Sequence, residues 1–389
     1  VIAIQQAFDI LEAFRLELRQ INLPLREARN HVLAETLQSE IDMPPFPQAT
    51  MDGYALAVHD ALDYTIVGEI KAGDDNAVML RAGEAVKIFT GAAVPESAQA
   101  VIQIEKVSVQ ENRLFLAEPI AAATNIRAQG AQIRTGDVAL EQGRFLNPAA
   151  VGFLAGLGFA QVSVFEKPKV AVVVTGNELV TAGELLAYGK VYESNAVMLQ
   201  SALYDGGFDK VSLYRVADDF VETQAVLGEA IAANDVVLVS GGISVGDYDF
   251  VGRALESLDV KELFYKVNQK PGKPLYAANI GQKMIFALPG NPAASLTCFY
   301  VYVKPMLQKL AGMSPQFGFA DSRKLSHDYD VANARDLILK AKVFGDEVTI
   351  LPHQDSAMLD SFAAADALVY LEHGNYRLLK GAQVRLSLL

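Results

Sequence analysis

The sequence predicts a multidomain α/β protein: a doubly wound, mainly parallel sheet in the middle of the chain, a β-rich insert before it and a β-rich module after it. Three observations carry that expectation. Between residues 169 and 311, strand candidates (KVAVVVTG, KVSLYRVA, DVVLVSGG, ELFYKV and KMIFALPG), several of them nearly all apolar, alternate with stretches of helical spacing, as in a sheet covered on both faces. From 54 to 118, and again beyond 320, the runs are shorter and separated by Gly, Asp and Pro, which reads as β structure. At 389 residues the chain exceeds what one core usually takes, given roughly 100 to 200 residues per domain.

Taken in order, residues 2–19 place Ile4, Ala7, Phe8, Leu11 and Phe14 near helical spacing, and EARNHVLAETL (27–37) is expected to continue as a second helix. Pro44, Pro45 and Pro47 then break the chain, and YTIVGEI, AVKIFTG, AVIQIE and RLFLAE follow as strands. Residues 127–165 return to a mixed pattern, so the β unit is expected to interrupt another domain. The weakly polar segment 145–165 approaches the roughly 20 residues of a membrane span. Asn147 reads instead as an N-cap, Pro148 as the first helical residue, Gly156 and Gly158 as a stop and QVSVF as a strand. Helices are then expected in SNAVMLQSALYDGG, DFVETQAVLGEAIAAN, YDFVGRALESL and NPAASLTCFYVYVKPMLQKLAG.

Composition narrows the function. A net charge of −13 without a run of basic residues argues against a nucleic-acid partner, because a polyanion requires a basic face. Cys298 is the single cysteine, so no intrachain disulfide and no cysteine-cluster metal site can form; a cytoplasmic protein is expected. The N-terminus has Glu12 and Glu17 in place of a basic signal-peptide start, and no membrane association is expected. The chain opens on Val1 rather than Met, so part of the natural start is expected to be missing.

In an open α/β sheet, ligands bind beyond the carboxyl ends of the strands, where loops meet helix N-termini. That rule selects VVVTGNEL, with Thr175, Gly176 and Glu178; VADD, with Asp218; SGGISVGDYDF (240–250); and FALPGNPAAS, with Pro289, Gly290, Asn291 and Pro292. Gly241 and Gly242 allow backbone N–H groups to approach a phosphate, and Ser244 adds a hydroxyl. A P-loop would place a lysine and a hydroxyl residue next, whereas this loop has Asp247 and Asp249. Carboxylates repel a phosphate unless a divalent cation lies between them, which favours a metal-bridged phosphate and most simply Mg²⁺. The competing reading is a tight βα turn with an aspartate helix cap. In NQKPGKPLYA (268–277), a Pro-Gly turn sets Lys270 and Lys273 on one rigid loop able to hold an oxyanion; its plainer reading is a solvated hairpin turn. Asp52 in MDGYA and Thr90 in FTGAAVPE sit at comparable turn positions, which composition alone reads as structural. The five histidines form no ligand-spaced cluster, and no nucleophile elbow is present.

MDGYA, FTGAAVPE, NIRAQG, VVVTGNEL, YESN, SGGISVGDYD, KPGKP and LPGNPAA, in this order, resemble the MoeA family of molybdopterin molybdenumtransferases, related to the gephyrin E domain. The resemblance covers nearly the whole chain. It implies four domains: I (1–40 with 128–166), II (41–127, inserted), III (167–312, MogA-like α/β) and IV (313–389, β-barrel-like). It also implies a homodimer with an active site shared between subunits, transient contact with a MogA-like adenylyltransferase, adenylated molybdopterin and molybdate as substrates, and Mg²⁺ as cofactor. Carried over by position, the acids are Asp52, Glu178, Asp218 and Asp249, the last three as metal ligands. Thr90 lies on the partner-contributed surface, and Lys270, Lys273, Ser356 of HQDS and Arg335 of NARD surround the oxyanion. The chain departs from the family pattern at Gln132, at Ala294 with Ser295 one place later, and at Thr50. Two other functions fit parts of the pattern: a gephyrin-like binding scaffold without catalysis, and an adenylyltransferase using the α/β domain alone.

Overall fold

The computed structural model describes residues 1–74, 78–243 and 250–389. These residues divide into two compact units.

The first unit comprises Val1–Ile21, Asn30–Val32 and Phe165–Leu389. Its central sheet is built from β1 (Val170–Thr175), β2 (Val211–Val216), β3 (Val236–Ser240), β4 (Lys261–Tyr265), β5 (Tyr276–Ile280) and β6 (Lys283–Leu288), in the order β2-β1-β3-β6-β5-β4. β2, β1, β3 and β6 run parallel, while β5 and β4 add antiparallel at one edge. The alternating side chains explain the unbroken apolar runs. Val170, Val172, Val174, Leu238 and Phe286 join one core with helices Asn195–Asp205, Pro292–Cys298 and the N-terminal helix Ile4–Ala13. Ala171, Val173, Val237, Val239 and Ile285 join another, with helices Phe220–Ala233 and Phe250–Ser257. Both faces are covered over the inner strands, so β1 and β3 are buried along their whole length, while the edge strands β2 and β4 keep exposed polar positions. β5 was not anticipated: YAANI is short, and its pairing depends on the turn at Gly281 that joins it to β6.

After Cys298 the helix widens into a π segment, Phe299–Val303, before Lys304–Leu310. Pro305 has no N–H to offer the carbonyl one turn back, and the Lys304 N–H reaches the Phe299 carbonyl instead. Beyond it, strands Asp321–Leu325, Asp336–Phe344, Glu347–Ile350, Ala367–Leu371 and Gln383–Leu388 close on themselves, because Asp336–Phe344 pairs with both Glu347–Ile350 and Ala367–Leu371. This ring is the β-rich C-terminal module expected from the sequence, and Gln269–Lys270 joins it by parallel pairing to Asp336–Leu337.

The second unit comprises Asn22–Arg29 and Leu33–Val164. It contains a six-stranded sheet in the order Ala100–Gln103, Gly53–Leu56, Glu84–Ile88, Asp63–Ile70, Arg113–Leu116, Val107–Gln110; four of these strands fall on the β runs read from the sequence, whereas Gly53–Leu56 and Val107–Gln110 do not. Asn147 caps helix Pro148–Gly156 by accepting the Ala150 N–H at 2.8 Å, and QVSVF follows as a strand, as expected. The expected helix at 27–37 is absent. Leu25–Glu27 makes one 3₁₀ turn, Asn30 takes a left-handed conformation at φ 62°, and the N–H groups of Leu33 and Ala34 donate to the carbonyls of Arg144 and Ser163. Distant backbone partners thus replace the i−4 carbonyls on which helical spacing depends. Among the described residues no helix is long and apolar enough to cross a membrane.

Candidate functional site

Four parallel strands deliver their carboxyl ends to one cavity of about 960 Å³. At the end of β1, Gly176 adopts φ 143°, and a Cβ placed there would stand 2.7 Å from a Glu178 carboxylate oxygen. The glycine therefore allows the Glu178 carboxylate to fold back against the strand end. At the end of β2, Asp218 accepts the Asn177 N–H at 3.1 Å through Oδ2 and returns its own N–H to Asn177 Oδ1 at 3.3 Å. These two loops are clasped together. Among the described residues, neither Asp218 Oδ1 nor the Glu178 carboxylate takes a hydrogen bond.

At the end of β3, Gly241 and Gly242 take φ 95° and 64°. A Cβ on Gly241 would lie 2.8 Å from Thr175 Oγ1, and one on Gly242 would lie 2.6 Å from Val251 Cγ2, so packing as well as conformation requires both glycines. Gly241 departs from the sequence expectation in one respect: its N–H donates to the Leu288 carbonyl at 3.4 Å, so that donor is already engaged within the sheet. Ser244, Asp247 and Asp249 lie outside the described residues.

Beyond β6, Pro289, Gly290, Asn291 and Pro292 lead into helix Pro292–Cys298. Asn291 Nδ2 donates to Ser356 Oγ at 2.8 Å, and the Ser356 carbonyl accepts the Ala294 N–H at 3.0 Å. The barrel loop carrying Ser356 thereby caps this helix in place of a side chain from the helix's own start. Ser295 does not substitute for the missing serine at 294, because it is fully buried inside the helix while Ala294 faces the cavity.

The turn bearing the lysines is braced from beneath. Gln269 is fully buried; its Oε1 accepts the Tyr302 hydroxyl from the π segment, and its Nε2 donates to the Gly272 carbonyl at 3.3 Å. Pro271 and Gly272 are buried, so Lys270 and Lys273 project from a fixed base into the cavity. Arg335 also lines the cavity, its guanidinium Nη1 donating to the Gln269 carbonyl at 3.5 Å. Among the described residues, none of these three cations has an ion-pair partner. In a chain of net charge −13, three cations outside any ion pair among the described residues share the cavity with Glu178, Asp218, Glu193 and Asp355, and groups of both signs suit an anion and a cation together.

Asn195 is a site residue outside the set predicted from the sequence. Its Nδ2 donates to Ser240 Oγ and to the Gly290 carbonyl, both at 2.8 Å, and so links the ends of β3 and β6. The only signal was YESN at a helix start. Glu193, which accepts the Ala196 N–H at 2.7 Å, shares that signal.

Asp52 and Thr90 belong to the second unit and meet there: Asp52 Oδ1 accepts the Thr90 N–H at 2.8 Å and its hydroxyl at 2.7 Å. The Thr90 N–H, then its hydroxyl, holds the Asp52 carboxyl below the ordinary carboxylate range. A depressed carboxyl contributes stability above its unfolded-state pKa and loses it as pH falls through the folded value. Thr90→Val is expected to raise the Asp52 pKa, read by carboxyl ¹³C NMR titration; an unmoved midpoint would refute the hydroxyl's part in this.

Three family models match in sequence: the MoeA N-terminal region (domains I and II) over residues 2–158, a probable molybdopterin binding domain over 171–309, and the MoeA C-terminal region (domain IV) over 323–389. The chain is 31% identical over 386 residues to a molybdopterin molybdenumtransferase of Staphylococcus epidermidis, covering 96% of this chain and 92% of that protein. It is 30% identical over 383 residues to one of Staphylococcus aureus, covering 96% and 90%. In structure it is similar to a molybdopterin biosynthesis moeA protein from Pyrococcus horikoshii OT3, with a TM-score of 0.83 and 28% identity over the full length of both chains.

Proposed function

Because the chain belongs to the MoeA family of molybdopterin molybdenumtransferases and so to molybdenum cofactor biosynthesis, we propose that it inserts molybdenum from molybdate into adenylated molybdopterin in a Mg²⁺-dependent reaction that releases AMP. One observation supports this reading above all: Lys270, Lys273 and Arg335 line a single cavity together with Glu178 and Asp218, and none of the three cations is in an ion pair among the described residues. A tetrahedral oxyanion suits two ammonium groups and a guanidinium fork. Ser356 Oγ already accepts a hydrogen bond from Asn291, which leaves its own O–H to donate to the same anion.

The residues present fit Mg²⁺. Among the described residues no group of three or more acidic, histidine or cysteine side chains forms a metal cage. Mg²⁺ is usually held by one or two carboxylates together with substrate phosphate oxygens, and Glu178 and Asp218 supply that number of hard oxygen donors, with Asp249 as a third candidate. Bound there, the ion would polarise the adenylate phosphate and offset its charge. The protein's own groups divide the rest of the work. The acids at the ends of β1 and β2 hold the phosphate end of the substrate, while the lysine turn keeps the molybdate oxygens near the dithiolene, which converts a bimolecular encounter into a positioned one.

We read Asp52 and Thr90 as the partner's contribution to a site shared within a homodimer. The protein would work in the cytoplasm, receiving its adenylated substrate from a MogA-like adenylyltransferase. Incubation with adenylated molybdopterin, Mg²⁺ and molybdate should release AMP and yield active cofactor in step. Tight binding without turnover would refute the transferase reading and favour a scaffold.

A further inference from the structure

Lys340 lies in the barrel strand Asp336–Phe344 and is 2% exposed, yet it is not among the residues lining the cavity. Its ammonium finds no carboxylate at ion-pair distance among the described residues. It donates instead to three backbone carbonyls of one loop: His353 at 2.7 Å, Met358 at 3.0 Å and Asp355 at 3.3 Å. Burial pulls its pKa down, and the nearby charges of Asp360 and Asp355 oppose that shift. An ammonium has three donors and no acceptor, so three converging carbonyls satisfy it completely. The loop is also held to the same residue's backbone: Gln354 Oε1 accepts the Lys340 N–H at 3.0 Å, and Gln354 Nε2 donates to the Lys340 carbonyl at 2.8 Å.

The carbonyls gathered by Lys340 bracket Ser356, whose own carbonyl and hydroxyl engage Ala294 and Asn291 at the end of β6. We propose that Lys340 is a positioning residue: from inside the barrel it fixes the His353–Met358 loop, and so presents Ser356 to the oxyanion half of the cavity. The role of that half rests on the function proposed above, whereas the placement of the loop does not.

Two readouts on Lys340→Met separate these. Hydrogen–deuterium exchange of the peptide spanning 351–360 should quicken by about tenfold, the scale of one lost charge-assisted hydrogen bond, while exchange in β3 stays as in wild type. The KM for molybdate should rise by a similar factor, about tenfold, with kcat at saturating molybdate nearly unchanged. If Lys340→Met does not fold, Gln354→Met loosens the same loop from the same strand and is read by exchange alone, because Gln354 itself lines the cavity. Unchanged exchange in the loop overturns the proposal, and so does faster exchange with an unchanged KM. Wild-type protein that shows no molybdate dependence refutes the functional reading, and the exchange measurement then decides the placement of the loop by itself.

Discussion

Lys273→Ala is expected to raise the KM for molybdate by roughly ten- to a hundredfold, the range spanned by losing one or two hydrogen bonds between a charged donor and an anion. The loss should fall on KM more than on kcat, because the ammonium holds the oxyanion both before and during its transfer. The backbone at this position has independent support: the Lys273 carbonyl accepts the N–H groups of Val267 at 3.0 Å and Leu275 at 2.9 Å, so removal of the side chain leaves the turn in place. Lys270→Ala should behave alike. The double variant should lose less than the product of the two single losses, because both ammonium groups act on one anion. Lys266→Ala is the control: that ammonium lies over the Tyr265 ring at 4.5 Å and does not line the cavity. Steady-state rates across a molybdate series decide the matter, and an unchanged KM in both single variants would remove the lysine turn from the oxyanion site.

Gly272→Ala is expected to cost roughly 2–5 kcal/mol of stability, combining a left-handed backbone with overpacking. Gly272 holds φ 85°, and an added Cβ would stand 2.5 Å from Cys298 Sγ and 2.8 Å from Gln269 Nε2. Both neighbours are fully buried, and burial pushes the Cys298 thiol up, so it stays protonated and inert. Relief must come from the turn itself, which would shift the base from which Lys270 and Lys273 project. The variant should therefore melt earlier in calorimetry and bind molybdate more weakly. Adding Cys298→Ala should recover part of the steric cost, on the order of 1 kcal/mol, while leaving the strain at φ. A Gly272→Ala protein with wild-type melting behaviour would contradict this packing account.

The legible parts of the molecule were those governed by short-range chemistry. Val170–Thr175 and Val236–Ser240 read as buried strands because both faces of the sheet are covered and every position is apolar or small. Asn147 and Pro148 announced their helix because capping needs a side-chain acceptor within three residues. Glu178, Asp218, Lys270 and Lys273 could be singled out by position, since strand ends and a Pro-Gly turn are local features. The strand-end rule accounts for Glu178 and Asp218 at the cavity, whereas the lysine turn lines it by tertiary packing that no local rule foretold. Arg335 and Ser356 had no such signal in the residues themselves and came only from the resemblance of the chain to a known family.

The remainder depended on partners far away in sequence. The spacing of EARNHVLAETL is helical, but the carbonyls of Arg144 and Ser163 take its N–H groups, and no local pattern records a partner more than a hundred residues distant. Asn195 looks like an ordinary helix start until folding sets Ser240 and Gly290 on either side of its amide. Lys340 sits in a strand sequence that gives no hint of three converging carbonyls. The sequence by itself determined the elements and the chemical kinds of side chain at the strand ends, because these follow from periodicity, caps and turns. Tertiary structure alone decided which groups brace, cap and hold one another, because a hydrogen bond depends on where two atoms meet in space and not on their separation along the chain.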